Sequence, residues 1–186
     1  MSNAGAGVQE PGNWLLVDVS GLLGGPGLSR RFEASGRIEG LHAGLGVVEE
    51  DHPVEVGLEL VSSARAIRAS GRVSGRLTLG CSRCLVEFVQ DLDLGVEEEF
   101  YFDSALAEAK EGYEVTGELV NLEPMLRDAI VLSIPIKPVH AADCQGLCPV
   151  CGADLNVTEC GHGEPEGDLR WAPLRDLIAG DAGPKE

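Results

Sequence analysis

From Ile67 to Cys81 the sequence keeps a strict period of two. Ile67, Ala69, Gly71, Val73, Gly75, Leu77, Leu79 and Cys81 share one parity, and Arg68, Ser70, Arg72, Ser74, Arg76 and Thr78 share the other. That is the pattern of a half-buried strand with one apolar face and one basic, polar face. Cys81-Ser-Arg-Cys84 interrupts it as a tight connection, and alternation resumes at Val86 and Phe88 and runs through Leu92, Leu94, Val96, Phe100 and Phe102. Two long strands around a Cys-x-x-Cys turn predict an antiparallel hairpin. Gly71 and Gly75 predict a bend or bulge in its first strand.

The remaining segments are placed around this hairpin. Residues 1–12 read as a tail, with neither the basic start nor the apolar stretch of a signal peptide. Residues 13–19 read as a short strand, 20–29 as a Gly-rich loop, and 37–48 give no clear period. Val54, Val56, Leu58 and Leu60 alternate with Glu55, Gly57 and Glu59, a further strand. Residues 103–118 are acidic and read as a surface loop or weak helix. A helix is predicted over 121–133, where Leu122, Met125, Leu126, Ala129, Ile130 and Ser133 fall on one face. Asn121 can cap it, Pro124 suits its first turn, and Pro135 and Pro138 stop it. Trp171, Leu174, Leu177 and Ile178 suggest a short terminal helix, and 181–186 a second tail. The fold class is therefore α+β: an antiparallel, β-rich body over 13–139 with one main helix, then a cysteine-rich segment and short helix over 140–180. With 186 residues, 44% of them hydrophobic, the chain can bury a real core, built from aliphatic residues because only 4% are aromatic.

Six cysteines in a chain without an export signal read as thiols or metal ligands rather than disulfides. Cys144, Cys148, Cys151 and Cys160 are spaced as ligands of one tetrahedral, structural zinc ion, with Gly146 and Gly152 where such turns need positive φ. The segment is too polar to fold on its own apolar content, so metal binding would supply its folding energy. His162 is the substitute ligand if one tail cysteine is not used. A redox pair at Cys148 and Cys151 is the competing reading. Cys81 and Cys84 admit three arrangements: ligands shared with the tail metal, a separate site with His140, or a plain turn packed on the core.

The net charge of −17 argues against sequence-blind binding to nucleic acid or anionic lipid. Yet Val61 to Val86 contains no Asp or Glu and carries Arg65, Arg68, Arg72, Arg76 and Arg83. Arg68, Arg72 and Arg76 lie ~13 Å apart on one strand face. Such a row can take phosphates or the acidic side chains of a partner. Alternatively it pairs internally with Glu55, Glu59 or the Glu97-Glu98-Glu99 run. No stretch approaches a membrane span. No phosphate-binding loop, dinucleotide fingerprint or nucleophile elbow is present, and the scattered histidines fall in no catalytic motif, so no enzyme activity or small-molecule substrate is assigned.

Three segments resemble one family. They are Cys81-Ser-Arg-Cys84-Leu85 with Phe88, the run from Leu119-Val120-Asn121-Leu122 through the helix to Pro135-Ile-Lys-Pro-Val-His140, and Cys144-Gln-Gly-Leu-Cys148-Pro-Val-Cys151-Gly-Ala-Asp-Leu-Asn156 with Cys160. In this order they resemble the YceD family, the large ribosomal RNA subunit accumulation proteins, over residues 50–180. The resemblance implies a cytoplasmic, non-enzymatic role in accumulation or maturation of large-subunit rRNA. Its partner would be that rRNA, a pre-ribosomal particle or an acidic assembly protein. It also supports the four tail cysteines as one site. The rivals are a protein–protein adaptor that does not touch RNA and a thiol redox protein using Cys148 and Cys151.

Overall fold

The computed structural model describes residues 14–44, 46–48 and 53–162. The chain divides into two compact units, Met1–His140 and Ala141–Glu186.

The first unit is built on one pair of strands. β6 (Ala66–Gly80) and β7 (Glu87–Tyr101), fifteen residues each, pair antiparallel without interruption from Ala66↔Tyr101 to Gly80↔Glu87. Alternation dictates which residues are inside: Ile67, Ala69, Val73, Leu77, Leu79 and Cys81 are buried, while Arg68, Arg72 and Arg76 are exposed. Other strands use what this hairpin leaves. On the free edge of β6, β5 (Val54–Ser62) pairs with its first half and β4 (Gly46–Val48) with its second. Beyond these, β2 (Ser29–Gly36) pairs with β5, and β3 (His42–Ala43) with β4. On the other side β8 (Tyr113–Thr116) joins β7 in parallel, followed by β9 (Leu119–Asn121) and β1 (Leu16–Asp18).

Residues 103–118, read as loop or weak helix, form α1 (Ser104–Ala109) and then β8. Asp103 caps α1 by accepting the Ala105 N–H at 2.9 Å. The main helix is α2 (Glu123–Ser133), two residues shorter at its start than expected because Leu119–Asn121 is taken into β9. Asn121 still serves its entry, its Oδ1 accepting the Glu123 N–H at 3.1 Å. Leu122, Met125, Leu126 and Ile130 are buried, as the periodicity requires. Ser133 instead is exposed, and its hydroxyl donates to the Ile130 carbonyl at 2.7 Å. These side chains join Val56, Leu58, Leu60, Ile67, Leu77 and Phe100 in one core. Full burial stabilises each by ~1.5–3 kcal/mol.

Gly71 and Gly75 do not mark a bulge, since the register of β6 continues through both. Gly71 is required for another reason. A Cβ there would meet the Gly57 carbonyl oxygen, which lies on the neighbouring strand β5, well inside van der Waals contact.

In the second unit, residues 141–162 form turns and one isolated bridge, Leu147↔Asp154. Only Cys144, Gly146 and Cys148 are buried among these residues. The tails and the expected helix around Trp171–Ile178 lie outside the described residues. Among the described residues, no helix is long and apolar enough to cross a membrane.

Gly71→Ala therefore forces β5 and β6 apart and is expected to destabilise the chain by ~1–3 kcal/mol. Gly57→Ala, where a Cβ would meet nothing within 4 Å, should stay within ~0.5 kcal/mol of the parent. Denaturant unfolding of the two variants checks this, and equal stabilities would contradict it.

Candidate metal centre

The tail cysteines are gathered by turns that glycine permits. The Cys148 N–H donates to the Ala153 carbonyl at 2.8 Å, and the Cys148 carbonyl accepts the Gly152 N–H at 2.8 Å. Gly152 has φ +74° and Gly161, between Cys160 and His162, has φ +71°. Both lie in the left-handed region that side chains disfavour. The result is a cluster of four donors: the sulfurs of Cys148, Cys151 and Cys160 and a ring nitrogen of His162 lie within 4.8 Å of one another. Ligands on a tetrahedron with ~2.3 Å zinc–sulfur arms stand about 3.7 Å apart, so this cluster can close on one ion with small side-chain shifts.

The electrostatics favour a thiolate. N–H groups of Cys151 and Val150 point at Cys148 and, against its burial, with thiol bonds from Cys160 and Cys151, lower its pKa to about 6. Cys160 is shifted upward. The His162 N–H pulls it down, but the bond to Cys148, burial and the Cys151 bond together outweigh that pull. One sulfur of the cluster thus ionises readily while a neighbour holds its proton, a soft anionic site suited to a thiophilic cation.

Cys144 does not belong to this cluster, and His162 stands where the spacing suggested that cysteine. The cause is local. The Cys144 sulfur accepts a hydrogen bond from Asn156 Nδ2 at 3.5 Å, and Asn156 Oδ1 accepts the Gln145 N–H at 2.8 Å. Asp154 Oδ1 in turn takes the Asn156 N–H and side-chain amide at 2.9 and 2.6 Å. The Cys144–Gln145 turn is held by Asn156.

At the closed end of the hairpin, Cys81 and Cys84 are both buried. Leu85, with φ +64°, turns the chain there. The Cys81 N–H donates to the Val86 carbonyl at 2.8 Å and the Leu85 N–H to the Cys81 carbonyl at 2.9 Å. The Ser82 N–H donates to the Pro138 carbonyl at 2.8 Å, which brings the segment after α2 against the turn. Cys84 Sγ lies 3.4 Å from His140 Nδ1, and a ring nitrogen of His140 and the sulfurs of Cys81 and Cys84 are mutually within 4.8 Å. Burial raises the Cys81 pKa, but hydrogen bonds from the His140 ring and backbone and from the Cys84 and Arg83 N–H groups outweigh it and bring it to about 5. His140 stands beside Cys81 and Cys84 in one of the three arrangements that the sequence leaves open.

The arginine row is matched by carboxylates across the hairpin. Arg68 reaches Glu97 at 3.4 Å, Arg72 reaches Asp93 at 2.7 Å and Arg76 approaches Asp91 at 3.9 Å. All six side chains are more than half exposed, so each pair contributes only ~0–1 kcal/mol. Their larger effect is to cancel the charge of the row.

The family described as large ribosomal RNA subunit accumulation protein YceD matches residues 69–178. An uncharacterized protein of Mycobacterium tuberculosis is 33% identical over 135 residues, covering 70% of this chain and 65% of that protein. In Arabidopsis thaliana, the chloroplastic large ribosomal RNA subunit accumulation protein YCED homolog 1 is 26% identical over 155 residues, 67% of this chain and 48% of that protein. The Zea mays protein of the same name is 26% identical over 157 residues, 68% and 54% of the two chains. The chain thus spans less than two thirds of the length of each. No solved structure matches it.

If the tail cluster closes on a metal, chelator should make Cys148, Cys151 and Cys160 label with a thiol reagent at least tenfold faster than in untreated protein. Mass-spectrometric mapping of labelled peptides reads this directly. Equal rates with and without chelator would favour the redox dithiol at Cys148 and Cys151.

Proposed function

This chain belongs to the YceD family, and from that membership we propose that it is a non-enzymatic factor supporting accumulation of large-subunit ribosomal RNA during ribosome assembly in the cytoplasm. The observation that carries the reading is the extent of the family match. Residues 69–178 take in all but the first three residues of the long hairpin with its Cys-x-x-Cys turn, α2 and every tail cysteine. The plant relatives are named for large ribosomal RNA subunit accumulation.

The metal of the Cys148, Cys151, Cys160 and His162 cluster is proposed to be zinc, in a structural role. Three sulfurs and one imidazole make a closed four-coordinate shell, the donor set of structural rather than catalytic zinc. Such an ion would add order to residues 141–162, of which only Cys144, Gly146 and Cys148 are buried. The four-donor cluster also favours this over the redox reading, which needs only Cys148 and Cys151.

The partner is large-subunit rRNA or a pre-ribosomal particle. Cancellation of the arginine row favours contact through a surface other than Arg68, Arg72 and Arg76. Phosphates, or the carboxylates of an acidic assembly protein, would have to displace Asp91, Asp93 and Glu97 in a chain already at −17.

In cells lacking the protein, the ratio of large- to small-subunit rRNA should fall and recover when the wild-type chain is restored. An unchanged ratio would overturn the proposed role. A variant with Arg68, Arg72 and Arg76 all changed to Gln should co-sediment with pre-ribosomal particles as the parent does. Lost co-sedimentation by a folded variant would return the row to the interface.

A further inference from the structure

We propose that Cys81, Cys84 and His140 hold a second metal ion, a thiophilic divalent cation of the zinc class, at the closed end of the β6–β7 hairpin. This inference concerns the first unit alone and does not rest on the ribosomal role.

Four observations carry it. The turn places both sulfurs of one Cys-x-x-Cys within 4.8 Å of a ring nitrogen contributed from a segment fifty-six residues away in sequence. The Cys84 Sγ to His140 Nδ1 separation of 3.4 Å is close to the ~3.6 Å between a sulfur and an imidazole nitrogen on one tetrahedral zinc ion. The turn also carries a strained residue, because Leu85 sits at φ +64°, a conformation that costs a non-glycine residue about 1–2 kcal/mol. That conformation accompanies a tight loop in which the Leu85 N–H closes on the Cys81 carbonyl and both thiols face one point. Finally, a plain core turn would surround its thiols with apolar side chains and would not need an imidazole. Here His140 is an exposed residue whose ring is directed at the buried sulfur of Cys84.

Such an ion would fix the end of the longest hairpin in the chain and tie it to the Pro135–His140 segment that follows α2. The hydrogen bond from Ser82 to Pro138 makes the same connection from the backbone. Two thiolates and one imidazole fill three corners of a tetrahedron.

Metal content of the full chain, purified without chelator, tests the proposal by elemental analysis and native mass spectrometry. Wild type should carry two zinc ions, Cys81→Ser/Cys84→Ser one, and Cys148→Ser/Cys151→Ser one. A wild type with a single zinc ion that survives in Cys81→Ser/Cys84→Ser would overturn the second site and leave the tail centre standing. Serines in a buried turn can unfold the hairpin by themselves, so a variant-free measurement accompanies these. Cobalt(II) added to chelator-treated wild type should bind at two equivalents, each adding a thiolate charge-transfer band. Saturation at one equivalent would likewise overturn the proposal.

Discussion

The rest of the structure depends on the register between β6 and β7. Fifteen residues of each strand pair without a break, and because side chains alternate with a period of two, a slip by one residue would send every core side chain to solvent. The alternation of Ile67, Ala69, Val73, Leu77 and Leu79 against Arg68, Arg72 and Arg76 forbids that slip twice over. One register buries the aliphatic set and also places each arginine beside an acidic residue of β7. β5, β4 and β8 then add to edges that the hairpin has already defined. Gly71 shows how tight the arrangement is, because the β5 backbone passes where a side chain would stand.

The same pairing explains the contrast between a strongly acidic chain and its basic stretch. Arginines on one strand and carboxylates on the next are far apart in sequence but neighbours in the sheet. A run without Asp or Glu from Val61 to Val86 reads as a charged face when seen in one dimension. In three dimensions carboxylates of the neighbouring strand sit across the ladder from the arginines and offset their charge.

Much of the body was legible in the sequence, and the reasons are physical. The hairpin, β5 and α2 carry long periodic patterns, and periodicity reports burial directly. β2, β4 and β8 were not legible because they are short or diluted by glycine and serine, and neighbouring strands stabilise them more than their own propensity does. The tail was half legible. Spacing identified Cys148, Cys151 and Cys160 as candidate ligands, but that His162 rather than Cys144 stands with them follows from how the turns fold, which has no sequence period. His140 was legible only as one of three arrangements for Cys81 and Cys84, because the return of the chain after α2 to the hairpin turn has no sequence period.

Thiols and imidazoles therefore converge in both units, at the end of the hairpin and in a tail segment with few buried positions among its described residues, and metal ligation is what would make each convergence rigid. The most direct measurement is X-ray absorption at the zinc edge on the full chain. The expected first shell mixes sulfur at ~2.3 Å with nitrogen at about 2.0–2.1 Å and carries the outer-shell scattering of imidazole. A shell of oxygen and nitrogen without sulfur, or of sulfur alone with no imidazole signature, would contradict the assignment of Cys148, Cys151, Cys160 and His162 as the ligands.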